Sequence, residues 1–312
     1  MKIIPVDCNY VEPGFAASYL LVKEGTGLFV ECNTNFAIPF LLEAAKAEGL
    51  SPDDIKGLII THVHLDHAGG AGLFLKTFPH AILYSHPRAA RHAIDPSKLI
   101  ASATAVYGER FMEECYGKIL PCDAARVRVL EDGVGVDFAG VELQTKHVRG
   151  HANHHLVVFE PTTRTLFTGD SCGVTYPKIN QKHAPENTWV VLASTSPTDF
   201  EGEAALASID WIEALAPDRL APTHFGFIPR DHHARTFQML RDQIRFSMDL
   251  LQRIRSEKLL ESEVIEILRD WLIQYFKSDG IEFDRADLEL LAIDIKVNSQ
   301  GLIFAANRSA AY

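Results

Sequence analysis

Four metal-capable side chains fall within six residues at His62-Val63-His64-Leu65-Asp66-His67, directly after the apolar run Gly57-Leu58-Ile59-Ile60. Imidazole nitrogens mixed with carboxylate oxygens suit zinc, iron or manganese, whereas magnesium and calcium call for sets dominated by oxygen. Two positions apart in an extended segment, His62 and His64 face the same side and can close on one ion. Asp66 and His67 follow at the turn into a helix and can reach a second. A lone His-x-His pair is usually accidental, but the six-residue pattern after a strand is far more specific. Gly69-Gly70 comes next, and glycine lets backbone pass close beneath a crowded site.

Three later positions can complete such a shell. His151, in Val148-Arg149-Gly150-His151-Ala152-Asn153-His154-His155, lies between the strand-like runs Val141–Thr145 and Leu156–Phe159. Asp170 ends the run Thr165-Leu166-Phe167-Thr168-Gly169, where one carboxylate oxygen can serve each of two ions and lower their mutual repulsion. His224 ends Arg219-Leu220-Ala221-Pro222-Thr223, with Gly226 in the loop beyond, and would finish the second ion. A water held between two such cations loses a proton near neutral pH, its pKa falling from about 15.7 towards ~7. The nucleophile is then solvent, and the sequence holds no Walker-type glycine loop.

From roughly Ile3 to Gly226 these motifs resemble the metallo-β-lactamase superfamily, and within it the glyoxalase II-like and lactonase-like hydrolases. The resemblance implies that His62, His64 and His151 hold one metal, that Asp66, His67 and His224 hold the other, and that Asp170 bridges them. It also implies that Asp66 orients the attacking oxygen and later carries a proton, which makes Asp66 and Asp170 the catalytic candidates. Where the common pattern is G-H-T-x-G-H this chain reads Gly150-His151-Ala152-Asn153-His154-His155, and the departure that matters is His154 where glycine usually stands. His154 and His155 are read as bracing the ligand loop or touching substrate. Tyr176, on the loop after Asp170, joins His155 as a substrate-side candidate, through a hydroxyl able to support an oxyanion. Cys172 is read as a small buried residue, off the ligand set.

Strands are expected at Ile3–Cys8, Ser18–Lys23, Gly27–Cys32 and Gly57–Thr61, with an amphipathic helix at Phe36–Gly49. A glycine-rich helix at Ala68–Phe78 and a strand at Ala81–Ser85 follow, and His86-Pro87 opens a helical stretch that runs into the Asp95–Gly117 region. Further strands are read at Val127–Leu130, Gly135–Phe138, Val141–Thr145, Leu156–Phe159 and Thr165–Thr168. Two β-rich halves with outer helices imply a mixed α/β fold, a four-layer αβ/βα sandwich whose strand-end loops gather the ligands along one edge. This domain is assigned to residues 1–230. Residues 231–312 are read as a helical extension, with apolar faces on Asp231–Ser256 and Ser262–Phe276 that pack on the domain, cover its site or form a homodimer. Ile293–Val297 and Gly301–Phe304 read as a short closing hairpin or strand.

At 312 residues and 47% hydrophobic content the chain can bury a large core, and its net charge of −11 argues against a nucleic-acid surface. Five scattered cysteines without a CxxC pair suggest reduced thiols. Met1–Asp7 lacks a signal peptide's apolar core and no apolar run reaches the ~18 residues that span a bilayer, so cytoplasmic residence is expected. The reading is a dinuclear hydrolase, with two divalent ions, zinc first and iron or manganese next, acting on a small-molecule ester, thioester or lactone. The alternatives are a di-iron oxygen-binding or redox protein and a phosphodiesterase.

Overall fold

Alternation of apolar side chains along buried strands organises the first of two units into which the chain divides. The computed structural model describes residues 1–183, 189–195 and 199–308, with the backbone alone at 106 and 107. Unit 1 comprises residues 1–147, 154–169 and 217–228; unit 2 comprises 148–153, 170–216 and 229–312.

Among the described residues there are two six-stranded sheets. The first runs in order β1 (Lys2–Asp7), β2 (Ala17–Lys23), β3 (Thr26–Val30), β4 (Ile55–Ile59), β5 (Ile82–Ser85) and β6 (Val127–Val129). β1 to β3 pair antiparallel, and β3 to β6 pair parallel. The second contains β7 (Val136–Phe138), β8 (Val141–Val148), β9 (His155–Glu160), β10 (Thr165–Gly169), β11 (Arg219–Pro222) and β12 (Ile228–Pro229), in reverse order across the sheet. The mixed α/β class with two β-rich halves is therefore what the chain forms.

Successive residues of a strand point to opposite faces. Tyr19, Leu21, Leu28, Val30 and Ile59 from the first sheet accordingly share one apolar cluster with Leu143, Leu156, Val158, Phe167 and Ala221 from the second. Their neighbours Leu20, Phe29 and Leu58 point the other way. They meet α1 (Ile38–Ala47), α3 (Ala71–Thr77) and α4 (Pro87–Ile94) through Leu41, Phe74 and Ala89. Burying a side chain such as Phe29, whose ring centroid lies 5.6 Å from that of Phe74, contributes about 1.5–3 kcal/mol. With both faces covered, β2 to β4 carry near-continuous apolar runs instead of polar alternation.

Between β4 and α3 the short α2 (Leu65–Ala68) carries Asp66 and His67. A smaller apolar cluster joins Leu65 to Met112 and Tyr116, with Leu99 and Phe111 packed against it. These come from α5 (Ser97–Tyr107), α6 (Glu109–Phe111) and the π-helical turn Met112–Tyr116.

Unit 2 contains α7 (Pro177–His183), α8 (Gly202–Leu215), α9 (Arg230–Glu257), α10 (Glu261–Ser278) and α11 (Arg285–Arg308). The apolar spacing expected on the first two long tail helices is met: Phe237, Leu240, Ile244 and Ile254 are buried on α9, and Val264, Leu268, Leu272 and Phe276 on α10. The expected closing hairpin is not formed. Residues 293–304 lie inside α11, whose buried positions Leu291, Ile295, Asn298, Leu302 and Ala305 recur at helical spacing. The alternation Ile293-Asp294-Ile295-Lys296-Val297 fits period two over five residues, but the longer window fits 3.6 and the longer window governs. No helix among the described residues is long and apolar enough to cross a membrane.

Candidate metal centre

In unit 1 the chain leaves β4 at Ile59 and reaches His62, fully buried, within three residues. His62 Nδ1 is 3.0 Å from Thr61 Oγ1, and its Nε2 faces His64 Nδ1 at 2.9 Å. His64 sits at the N-terminal boundary of α2, so the next turn lifts Asp66 and His67 beside it; the His62 and His67 ring centroids are 4.0 Å apart. Backbone from β3's end clamps this turn. Cys32 and Asn33 N–H groups both donate to the His67 carbonyl, and the Asn33 amide donates to the Asp66 carbonyl at 2.6 Å. The close backbone passage expected at the paired glycines is present: Gly70 N–H donates to Asn33, and a Cβ on Gly70 would stand 2.7 Å from the Thr34 carbonyl oxygen.

β11 delivers His224 to the same place. Its Nδ1–H donates to the Phe15 carbonyl at 2.8 Å, which leaves Nε2 as the lone-pair nitrogen, 3.3 Å from Asp66 Oδ2. Tyr19 steadies this loop by donating to the Pro222 and Gly226 carbonyls. Asp66, His67 and His224 each offer a ligand atom, all within 4.8 Å of one another. Two imidazoles and a carboxylate at that spacing fit a transition-metal ion, and the tautomer of His224 is already the one that coordination requires.

His155 is 1% exposed and lies behind His62, with ring centroids 4.7 Å apart and planes 23° apart. Gly169 makes room for it: φ there is +50°, and a Cβ would come within 2.5 Å of His155 Nε2. The half-buried His154 ring meets His64 edge-on at 5.5 Å.

Unit 2 carries the other two expected ligands. His151 Nε2 is 3.6 Å from Asp170 Oδ2, while its Nδ1–H points to the Ser194 carbonyl at 3.4 Å. Both residues line a small cavity with Arg149, Ser171, Ser194 and Leu240. Tyr176 is buried and its hydroxyl donates to Asp294 Oδ2 of α11 at 2.9 Å. Burial pushes the Cys172 thiol up to about 12, the state of an inert core cysteine.

The sequence model of the metallo-beta-lactamase superfamily matches residues 11–224, which takes in every one of these ligand candidates. The chain belongs to that superfamily. Relatives in the superfamily include a hydroxyacylglutathione hydrolase from Aeromonas hydrophila, 25% identical over 54% of this chain. An N-acyl homoserine lactonase from a Bacillus species is 28% identical over 60% of it. The chain spans only 55% and 61% of the lengths of these two proteins. Among solved structures, an archaeal metallo-beta-lactamase superfamily protein from Sulfolobus tokodaii aligns with a TM-score of 0.66, covering 96% of this chain and 97% of its own. At 20% identity that likeness concerns the fold.

Sequence reasoning missed the groups that hold the ligands in place. Phe15 acts through its backbone carbonyl, which no side-chain pattern reveals. Glu31 is a carboxylate 1% exposed at the end of an apolar strand, and an acid following Gly27-Leu28-Phe29-Val30 is a visible signal.

Proposed function

We propose that this protein is a dinuclear metal-dependent hydrolase that cleaves a carboxylic ester, thioester or lactone in a small molecule. The observation that carries the reading is the cluster of Asp66, His67 and His224 ligand atoms within 4.8 Å. By the superfamily's pattern, matched residue by residue, His62, His64 and His151 would hold one ion, Asp66, His67 and His224 a second, and Asp170 both. When bound, such ions acidify a water to near neutral pKa and polarise the carbonyl under attack. Asp66, whose side chain is 24% exposed, is the member of the unit 1 cluster open enough to exchange a proton with a leaving oxygen or sulfur. His155, buried behind His62, acts by fixing that ring. Relatives named as a hydroxyacylglutathione hydrolase and a lactonase favour acyl substrates, and the net charge of −11 weighs against nucleic acid.

The test is metal analysis with an absorption spectrum on protein purified without added metal, followed by a panel of S-acyl glutathione, lactone, aryl ester and bis-aryl phosphate substrates. Two colourless zinc ions per chain and turnover of an acyl substrate are expected. A coloured di-iron centre would transfer the protein to redox chemistry, and turnover confined to the phosphate diester would replace the acyl reading.

A further inference from the structure

Glu31 closes β3 with its backbone at φ +68°, a conformation uncommon outside glycine, and its side chain turns inward to 1% exposure. One oxygen, Oε1, accepts the Thr61 N–H at 2.9 Å, immediately before the first metal-ligand candidate. The other, Oε2, is buried without a hydrogen-bond partner and stands 3.6 Å from His67 Nδ1. That gap is about 0.5 Å beyond an ordinary N–H···O bond. A buried carboxylate oxygen left without a donor is strongly unfavourable, so a small closing movement of either ring or carboxylate is favoured. The neighbouring backbone is already arranged for it, since Cys32 and Asn33 hold the His67 carbonyl at 3.1 and 3.0 Å.

We propose that Glu31 is a positioning residue for the metal centre: its Oε2 accepts the Nδ1 proton of His67 and commits Nε2, the nitrogen on the Asp66 side, to the ion. This rests on the metallohydrolase reading. His224 receives the same service from a neutral carbonyl at Phe15. At His67 a carboxylate provides it, and a charged acceptor makes the stronger bond and the more basic ligand. Glutamine cannot substitute, because an amide has one accepting oxygen and an NH2 group, so that NH2 would face either Thr61 N–H or His67 Nδ1–H.

The experiment loads wild-type, Glu31→Gln and Glu31→Asp proteins with zinc and measures zinc per chain and its loss to a chelator, without assaying turnover. In Glu31→Gln one of two ions should bind about 10- to 100-fold more weakly while the other is unchanged, with Glu31→Asp in between. Equal retention of both ions by Glu31→Gln and wild type would overturn the role of Glu31 and leave the metallohydrolase reading intact. Wild-type protein that takes up no ion would overturn that reading and this inference together. Should Glu31→Gln fail to fold, nitrogen NMR of zinc-loaded wild type decides: a protonated Nδ1 at His67 is expected, and an unprotonated one overturns the proposal.

Discussion

The His155 ring lies 4.7 Å from the His62 ring and nearly parallel to it, so one buried imidazole backs another that carries ligand capacity. The arrangement requires Gly169, because any side chain there would occupy the space that His155 fills. Removing the backing imidazole lets His62 rotate. His155→Ala should therefore lower kcat by about tenfold or more, with metal affinity weakened in step, and leave KM close to wild type. A rise in KM at constant kcat would instead mean that His155 contacts substrate.

Asp66 stands between His224, at 3.3 Å, and His67, at 3.9 Å, and is the only acid of the three. On the proposed function its loss removes both an anionic ligand and the proton carrier. Asp66→Asn should retain one ion per chain instead of two and lose at least about a hundredfold in turnover. His224→Ala should lose the same ion, since Phe15 holds its ring in the coordinating tautomer. Metal counting on both variants, beside a melting curve to confirm folding, checks the pairing; retention of two tightly held ions by either would contradict it.

Tyr176 is a substrate-side candidate because it follows Asp170, and its hydroxyl donates to Asp294 in α11 at 2.9 Å. Tyr176→Phe removes that hydrogen bond to a charged group, which costs about 1.5–3 kcal/mol. The expected signature is a lower melting temperature with kcat within about twofold of wild type. A large fall in kcat at unchanged stability would return Tyr176 to an oxyanion role.

The legible parts of this site are those in which chemistry and secondary structure share a short window. His62 to His67 stand out as candidates in the sequence, as do Asp170 and His224 at the ends of apolar runs and His151 between two strand-like runs, because imidazole or carboxylate at such places is unusual. Phe15 was not legible and Glu31 was visible only as an acid ending an apolar run, since the role of each comes from strands that meet only in the fold: the loop before β2 beside the end of β11, and β3 beside the turn after β4. The Ala17 N–H bond to the Thr223 carbonyl is one such long-range tie. Helix α11 was missed for a different reason. Its Asp294 and Lys296 alternate with Ile293, Ile295 and Val297, and five residues cannot separate period two from 3.6.

His86 supplies a prediction in pH. It is 8% exposed, its Nδ1 accepts the Arg88 N–H at the start of α4, and its ring lies 4.2 Å from that of His147. Burial first, then the neighbouring His147, His154 and Arg88, pulls its pKa down from 6.5 to about 4. The unfolded chain therefore binds a proton at this position before the folded one does. Above pH 6.5 neither state is protonated and His86 contributes no pH dependence. Between 6.5 and 4 the unfolded state gains the proton alone, so stability falls with falling pH, by about 3 kcal/mol in all, and levels off below 4. His86→Asn keeps a side-chain oxygen for the Arg88 N–H and removes the titration. Its denaturation midpoint, measured from pH 7.5 to 4.5, should drop less steeply than that of wild type, and parallel curves would show that His86 is not charged on unfolding.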